Sequence, residues 1–208
     1  MAFRVCGYHP AHSGGHCRCN RRRCNAAIAE TFPLFLFQRA ALAAAGVLAL
    51  SACSPTFNWR ELRVDDTPLM ALLPCKVESA TRPVPLAGPA AAPAELHMHS
   101  CEAGGLRFAV AWADLGPAAP VEPALSAWRA ASLQAIRATG ADWPVRLPGA
   151  QSLQGVQAQG TDPQGRAVQT RAVYFAQGTR VFQAAVYGAR LPDEPRDAFF
   201  AGLQLTAP

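Results

Sequence analysis

The side chains of this chain that can do chemistry by type are its thiols, its imidazoles and a few serines. Cys53 closes an apolar run, Ala40–Leu50, and Cys75 and Cys101 are the only cysteines beyond it. His97, His99 and Cys101 recur at every second residue, so on a strand they share one face, with Met98 on the other. Two imidazoles and a thiolate form a ligand set for copper or zinc. Against this, a Cys75–Cys101 disulfide would consume the thiolate and leave His-x-His as a solvated polar edge. A hydrolytic serine has less support. There is no Gly-x-Ser-x-Gly elbow. Ser126 and Ser132 fall in a helical pattern, and Ser100 adjoins His99 without an acid that the sequence can place. Asp65-Asp66 reads as a turn. Gly104-Gly105 lacks the other residues of a phosphate loop. No catalytic residue, metal or cofactor is therefore expected, and His97 and His99 stay as the metal alternative.

The N-terminal residues hold Cys6, Cys17, Cys19 and Cys24 with His9, His12 and His16. The Cys-x-Cys spacing is not that of a zinc knuckle, and no apolar periodicity is present to build one. The following run, Ala40–Leu50, has the length of a signal-peptide h-region with Arg39 just ahead of it. At about 1.5 Å per residue it is too short to span a bilayer as a helix.

Leu50-Ser51-Ala52-Cys53 resembles a bacterial lipobox: a Leu-like residue, two small residues and a cysteine. The resemblance implies cleavage between Ala52 and Cys53 and lipidation of Cys53 by a diacylglycerol thioether and an N-acyl chain. Two or more chains anchor a protein stably where one does not. Ser54, a non-Asp residue after the cysteine, implies sorting to the outer membrane, facing the periplasm, with the inner membrane as the alternative. On this reading residues 1–52 are a removed leader whose first part is an over-long start, 53–56 a lipidated tether, and 57–208 one domain. Outside the inner membrane thiols oxidise readily, so the pair Cys75 and Cys101 is expected as a disulfide.

Charge agrees with a domain that is not built for nucleic acid. The net charge of +5 comes from residues 1–52, where six arginines face one glutamate; thirteen residues of each sign remain beyond. No basic cluster marks a phosphate-binding face. The partners expected are the membrane, through the anchor, and an envelope protein.

The elements that must position these residues follow from periodicity. Residues 57–64 read as a first strand, 69–73 as a short apolar stretch, 76–81 as a second strand, and 83–93 as a Pro/Ala/Gly-rich connection. Residues 95–101 and 106–112 form a hairpin about Gly104-Gly105, with Leu106, Phe108, Val110 and Trp112 on one face. A helix starts near Pro123, carries Leu125, Trp128, Leu133 and Ile136 on its apolar stripe, and ends at Gly140. Residues 153–159, 167–176 and 180–187 form a meander. Asp193-Glu194-Pro195 opens a short helix to Gly202 with Phe199 and Phe200.

The expectation is α+β: one antiparallel sheet of about six strands, ending in a three-stranded meander, packed by one main helix and a short C-terminal helix. The layout of residues 106–206 resembles the α/β/α sandwich of PsbP-like accessory proteins. Those proteins mostly bind or assist others, which implies a non-catalytic binding or accessory module. The alternative is a small periplasmic metal-binding protein or enzyme using the His97/His99/Cys101 strand.

Overall fold

A computed structural model describes residues 55–86, 88 and 92–206. The expected leader, the lipobox-like Leu50-Ser51-Ala52 and Cys53 lie outside the described residues. The chain runs β1 Arg60–Arg63, β2 Leu69–Leu73, β3 Glu78–Val84, β4 Ala94–Ala103, β5 Leu106–Asp114, α1 Val121–Ala135, β6 Thr139–Asp142, β7 Gln151–Thr161, β8 Ala167–Gln177, β9 Arg180–Gly188, α2 Asp193–Ala201 and β10 Gln204–Leu205.

The fold is α+β, with two antiparallel sheets rather than one. Seven strands run in the order β3-β4-β5-β9-β8-β7-β6, and three more in the order β1-β2-β10. Leu69–Leu73, read from sequence only as an apolar stretch, is the centre of the small sheet. Its alternation explains this: Leu69, Ala71 and Leu73 are buried, while Met70 and Leu72 are half-buried.

The large sheet is covered on both faces, and its residue sizes say by what. In β5 and β9, Phe108, Val110, Phe182 and Val186 face one way and pack with Leu69, Leu73, Val173, Phe175 and Phe199. This layer lies under the small sheet and α2. On the opposite face Ala111, Ala113, Ala172, Ala176 and Ala185 are small, and α1 packs there through Leu125 and Trp128. Short side chains on the sheet let a helix carrying a large indole approach closely. Strands buried on both faces read as unbroken apolar runs, which is why Ala172–Ala176 and Val181–Val186 barely alternate in sequence. Ser132 ties the helix down: it donates to the Trp128 carbonyl at 2.9 Å and accepts from Gln183 at 3.2 Å, while Gln183 also reaches the Tyr174 hydroxyl at 2.9 Å.

The helix stops at Ala135, before the expected Gly140. Arg137 takes φ +50, and the Ala138 amide donates back to the Leu133 carbonyl at 3.0 Å. The chain then re-enters the sheet as β6. Gly140 is needed for close packing and caps nothing: a Cβ there would meet Val156 Cγ2 at 2.5 Å and Leu133 Cδ1 at 2.9 Å. No helix among the described residues is long and apolar enough to cross a membrane.

Candidate functional site

The register of β3, β4 and β5 sets Ser79 opposite His99, Thr81 opposite His97, and His97 opposite Trp112. All lie on the face toward the small sheet. The turn after β1 then brings Asp65 over them, with φ +49, a conformation that Asp tolerates better than most residues. Asp65 Oδ2 accepts from Trp112 Nε1 at 2.7 Å and pairs with His99 Nε2 at 2.9 Å. His99 Nδ1 is 2.8 Å from Ser79 Oγ. An ionised carboxylate only accepts, so it holds the imidazole proton on Nε2. With the proton on Nε2, Nδ1 is left to accept from the Ser79 hydroxyl.

Burial resists ionisation of Asp65, but the hydrogen bonds from Trp112 and His99 outweigh it and hold the carboxyl below its usual range. His97 lies flat on Trp112, with ring centroids 4.4 Å apart and planes 11° apart, and its Nδ1 is 3.2 Å from Thr81 Oγ1. Arg180 closes the cluster, donating to the Asp66 carbonyl at 3.1 Å with its guanidinium 5.8 Å from the Trp112 ring centroid.

Ser79, His99 and Asp65 thus form an unbroken nucleophile–base–acid line that the sequence does not reveal: its candidate serines are Ser100, Ser126 and Ser132, and Asp65 reads as a turn residue. Three features argue for a structural role. His99 is only 7% exposed, and the line ties the β1–β2 turn to the large sheet. The grooves described below also lie elsewhere. Cys101 takes no part, because its sulfur is bonded to Cys75. His97, His99 and Cys101 therefore do not form a free ligand set: one imidazole is stacked, one is hydrogen-bonded at both nitrogens, and the thiolate is consumed. Among the described residues no group of three or more His, Cys, Asp or Glu is gathered for a metal ion.

The better-formed binding surface is at the other end of the large sheet. There β6, β7 and β8 carry polar side chains on the face where β5 and β9 carry Phe and Val. Register pairs Gln157 with Arg171, Gln159 with Gln169, and Thr139 with Gln159. With Arg196 of α2 and Leu191 before it, these line an open groove of about 450 Å³. That volume lies in the range of small-ligand clefts, roughly 300–1,000 Å³.

Its cations are already balanced. Arg171 donates to Gln157 Oε1 at 3.0 Å, stacks 4.6 Å from the Trp143 ring centroid, and stands 3.9 Å from Asp197. Arg196 reaches Asp193 at 2.6 Å and Asp197 at 2.7 Å. Two arginines against two aspartates leave a near-neutral groove whose remaining character is amide. Glutamine amides both donate and accept, which suits an uncharged polar ligand such as an extended peptide backbone or a hydroxyl-rich group. The sequence signal for this surface was the recurrence of Gln157, Gln159, Gln169 and Arg171 at alternate positions of a meander face. A second groove of about 520 Å³ runs between α1 and β6, past Arg129 and Leu133.

The chain matches no protein-family model and no curated protein. Among solved structures it is similar to a protein of unknown function, PA94 from Pseudomonas aeruginosa, at 16% identity and a TM-score of 0.35, over 72% of this chain and 98% of that one.

Proposed function

We propose that this protein is exported, anchored in the cell envelope through lipid on Cys53, and acts as a non-catalytic binding or accessory module. The observation that carries the reading is Leu50-Ser51-Ala52-Cys53 behind its eleven-residue apolar run. The joined sulfurs of Cys75 and Cys101 support it, since such bonds persist in oxidising compartments. On this reading the protein sits in the outer membrane and faces the periplasm, and its partner is an envelope protein held in the Gln157/Gln159/Gln169 groove.

The tether between lipid and fold is short. Phe57 already packs on the core, and its ring lies over Gly104. Four residues, Cys53–Thr56, reach at most roughly 14 Å. A lipid on Cys53 therefore holds the β4–β5 hairpin end against the bilayer.

The test is the intact mass of the protein extracted from membranes, beside a Cys53→Ser variant. A chain beginning at Cys53 with a lipid-sized increment, absent from the variant, is the expected result. A full-length unlipidated chain sinks the anchor. For the groove, photo-crosslinking in cells from Gln159, with Glu95 on β4 as control, should give an adduct from Gln159 alone. Equal adducts from both positions reject it.

The Ser79–His99–Asp65 line favours one other reading, a serine hydrolase. In this triad the ring nitrogens are exchanged relative to the usual order, in which the serine faces Nε2. Fluorophosphonate labelling that disappears in Ser79→Ala would replace the binding module by that enzyme.

A further inference from the structure

At the far edge of the large sheet, β3 has no neighbour on its outer side among the described residues. Six of its seven residues, Glu78–Pro83, are exposed, and Val84 is half-buried. Such an edge presents a row of free backbone donors and acceptors. Pro83 says which residues present them. Proline is tolerated in an edge strand when its missing donor faces away from the paired neighbour. Carbonyl and amide of one residue point to the same side, alternating along the strand. With Pro83 facing outward, the backbone groups of Ser79 and Thr81 also point to the free edge.

We propose that β3 pairs with β3 of a second copy of this chain, antiparallel about a two-fold axis at Ala80. The strand is its own complement in that register. Ala80 opposes Ala80, and the small side chains let the strands meet. Ser79 opposes Thr81, whose outward backbone groups complete two hydrogen-bonded pairs. Glu78 opposes Arg82, twice by symmetry, on the face away from His97 and His99. Among the described residues neither Glu78 nor Arg82 takes part in an ion pair. Charges that only blunt an edge repel a second copy when they share a sign. These have opposite signs four residues apart, so they select one register and one partner. A two-fold contact of this kind is isologous and closes at two copies, which prevents further growth along the sheet. The result joins two seven-stranded sheets into one. The inference stands independently of the lipid anchor.

The test is the mass in solution of the full chain carrying Cys53→Ser, which keeps it free of lipid. At roughly 0.1 mM, enough to populate a dimer of micromolar Kd, it should sediment as a dimer. Glu78→Arg and Arg82→Glu should each be monomeric under the same conditions, because each sets like charges opposite one another twice. An equimolar mixture of the two variants restores both opposite-sign pairs and should form a heterodimer, which also shows that both variants are folded. A monomeric parent chain, or single variants that remain dimeric, or a mixture that stays monomeric, overturns the proposal.

Discussion

Removing the Cys75–Cys101 bond should cost this domain a large share of its stability. The bond spans 26 residues of sequence and joins the segment after β2 to the interior of β4. It is thus a covalent link between the exit of the small sheet and the large one. Closing a loop of that length in the unfolded chain is worth about 3.5 kcal/mol at 25 °C in the chain-entropy model. Cys101 is 6% exposed and packs in the aromatic core, so truncating it adds roughly 1 kcal/mol of lost burial. Against a total of about 5–15 kcal/mol for a domain, Cys75→Ala/Cys101→Ala should remain folded but weakened.

The assay is urea unfolding followed by far-UV circular dichroism, with the reduced parent chain as the control that isolates the entropy. Both should lose about 3–5 kcal/mol, and the melting temperature should fall by roughly 6–20 °C. The urea dependence should steepen, because an uncrosslinked unfolded chain exposes more surface. Hydrogen exchange should quicken first in β1 and β2, the strands that lose their tie. A loss below about 1 kcal/mol, with the slope unchanged, would refute the reasoning, since the loop could then have constrained nothing in the unfolded state.

Gly104→Ala should destabilise by about 1–3 kcal/mol in the same assay. The residue sits at φ +60, and a Cβ would lie 2.6 Å from Phe57 Cζ, so the Phe57 ring must move. Phe199→Ala empties a fully buried ring site between α2 and Phe108 and should cost about 3–5 kcal/mol. Asp65→Asn tests the site electrostatics through pH. The folded state holds this carboxyl below its usual value, so its contribution is present above about pH 4 and is lost as pH falls through the lowered folded value. Urea midpoints of parent and variant should therefore differ most near neutrality and converge in acid; a gap that widens in acid contradicts the assignment. Asp114 and Asp197 are lowered too, Asp114 chiefly by the Gly116 amide and Asp197 by Arg196, so acid sensitivity persists in the variant.

Local pattern alone determined much of this protein. The alternation of Leu106, Phe108, Val110 and Trp112, and the turns at Gly104-Gly105 and Asp162–Gly165, define hairpins because strand side chains repeat every two residues and turns need particular backbone angles. The stripe through Leu125 and Trp128 defines a helix for the same kind of reason. The pairing of Cys75 with Cys101, the only cysteines after Cys53, is expected from the export that the lipobox resemblance implies, because thiols oxidise outside the inner membrane. What sequence could not give is which elements meet. Separating β1, β2 and β10 into a second sheet depends on Leu205 reaching Leu69, 136 positions earlier in the chain. The helix ends at Ala135, where Arg137 turns to φ +50 and the Ala138 amide closes back on the Leu133 carbonyl, and Gly140 lies beyond it in β6, where Val156 and Leu133 leave no room for a Cβ. Asp65, Ser79 and His99 share no local motif, lying 34 and 20 residues from one another through His99. They form one hydrogen-bonded line only because the turn after β1 is folded over β3 and β4. The glutamine groove likewise exists only where Gln157, Gln159 and Gln169 of two strands meet Leu191 and Arg196 from a later segment, a meeting that no window of sequence measures.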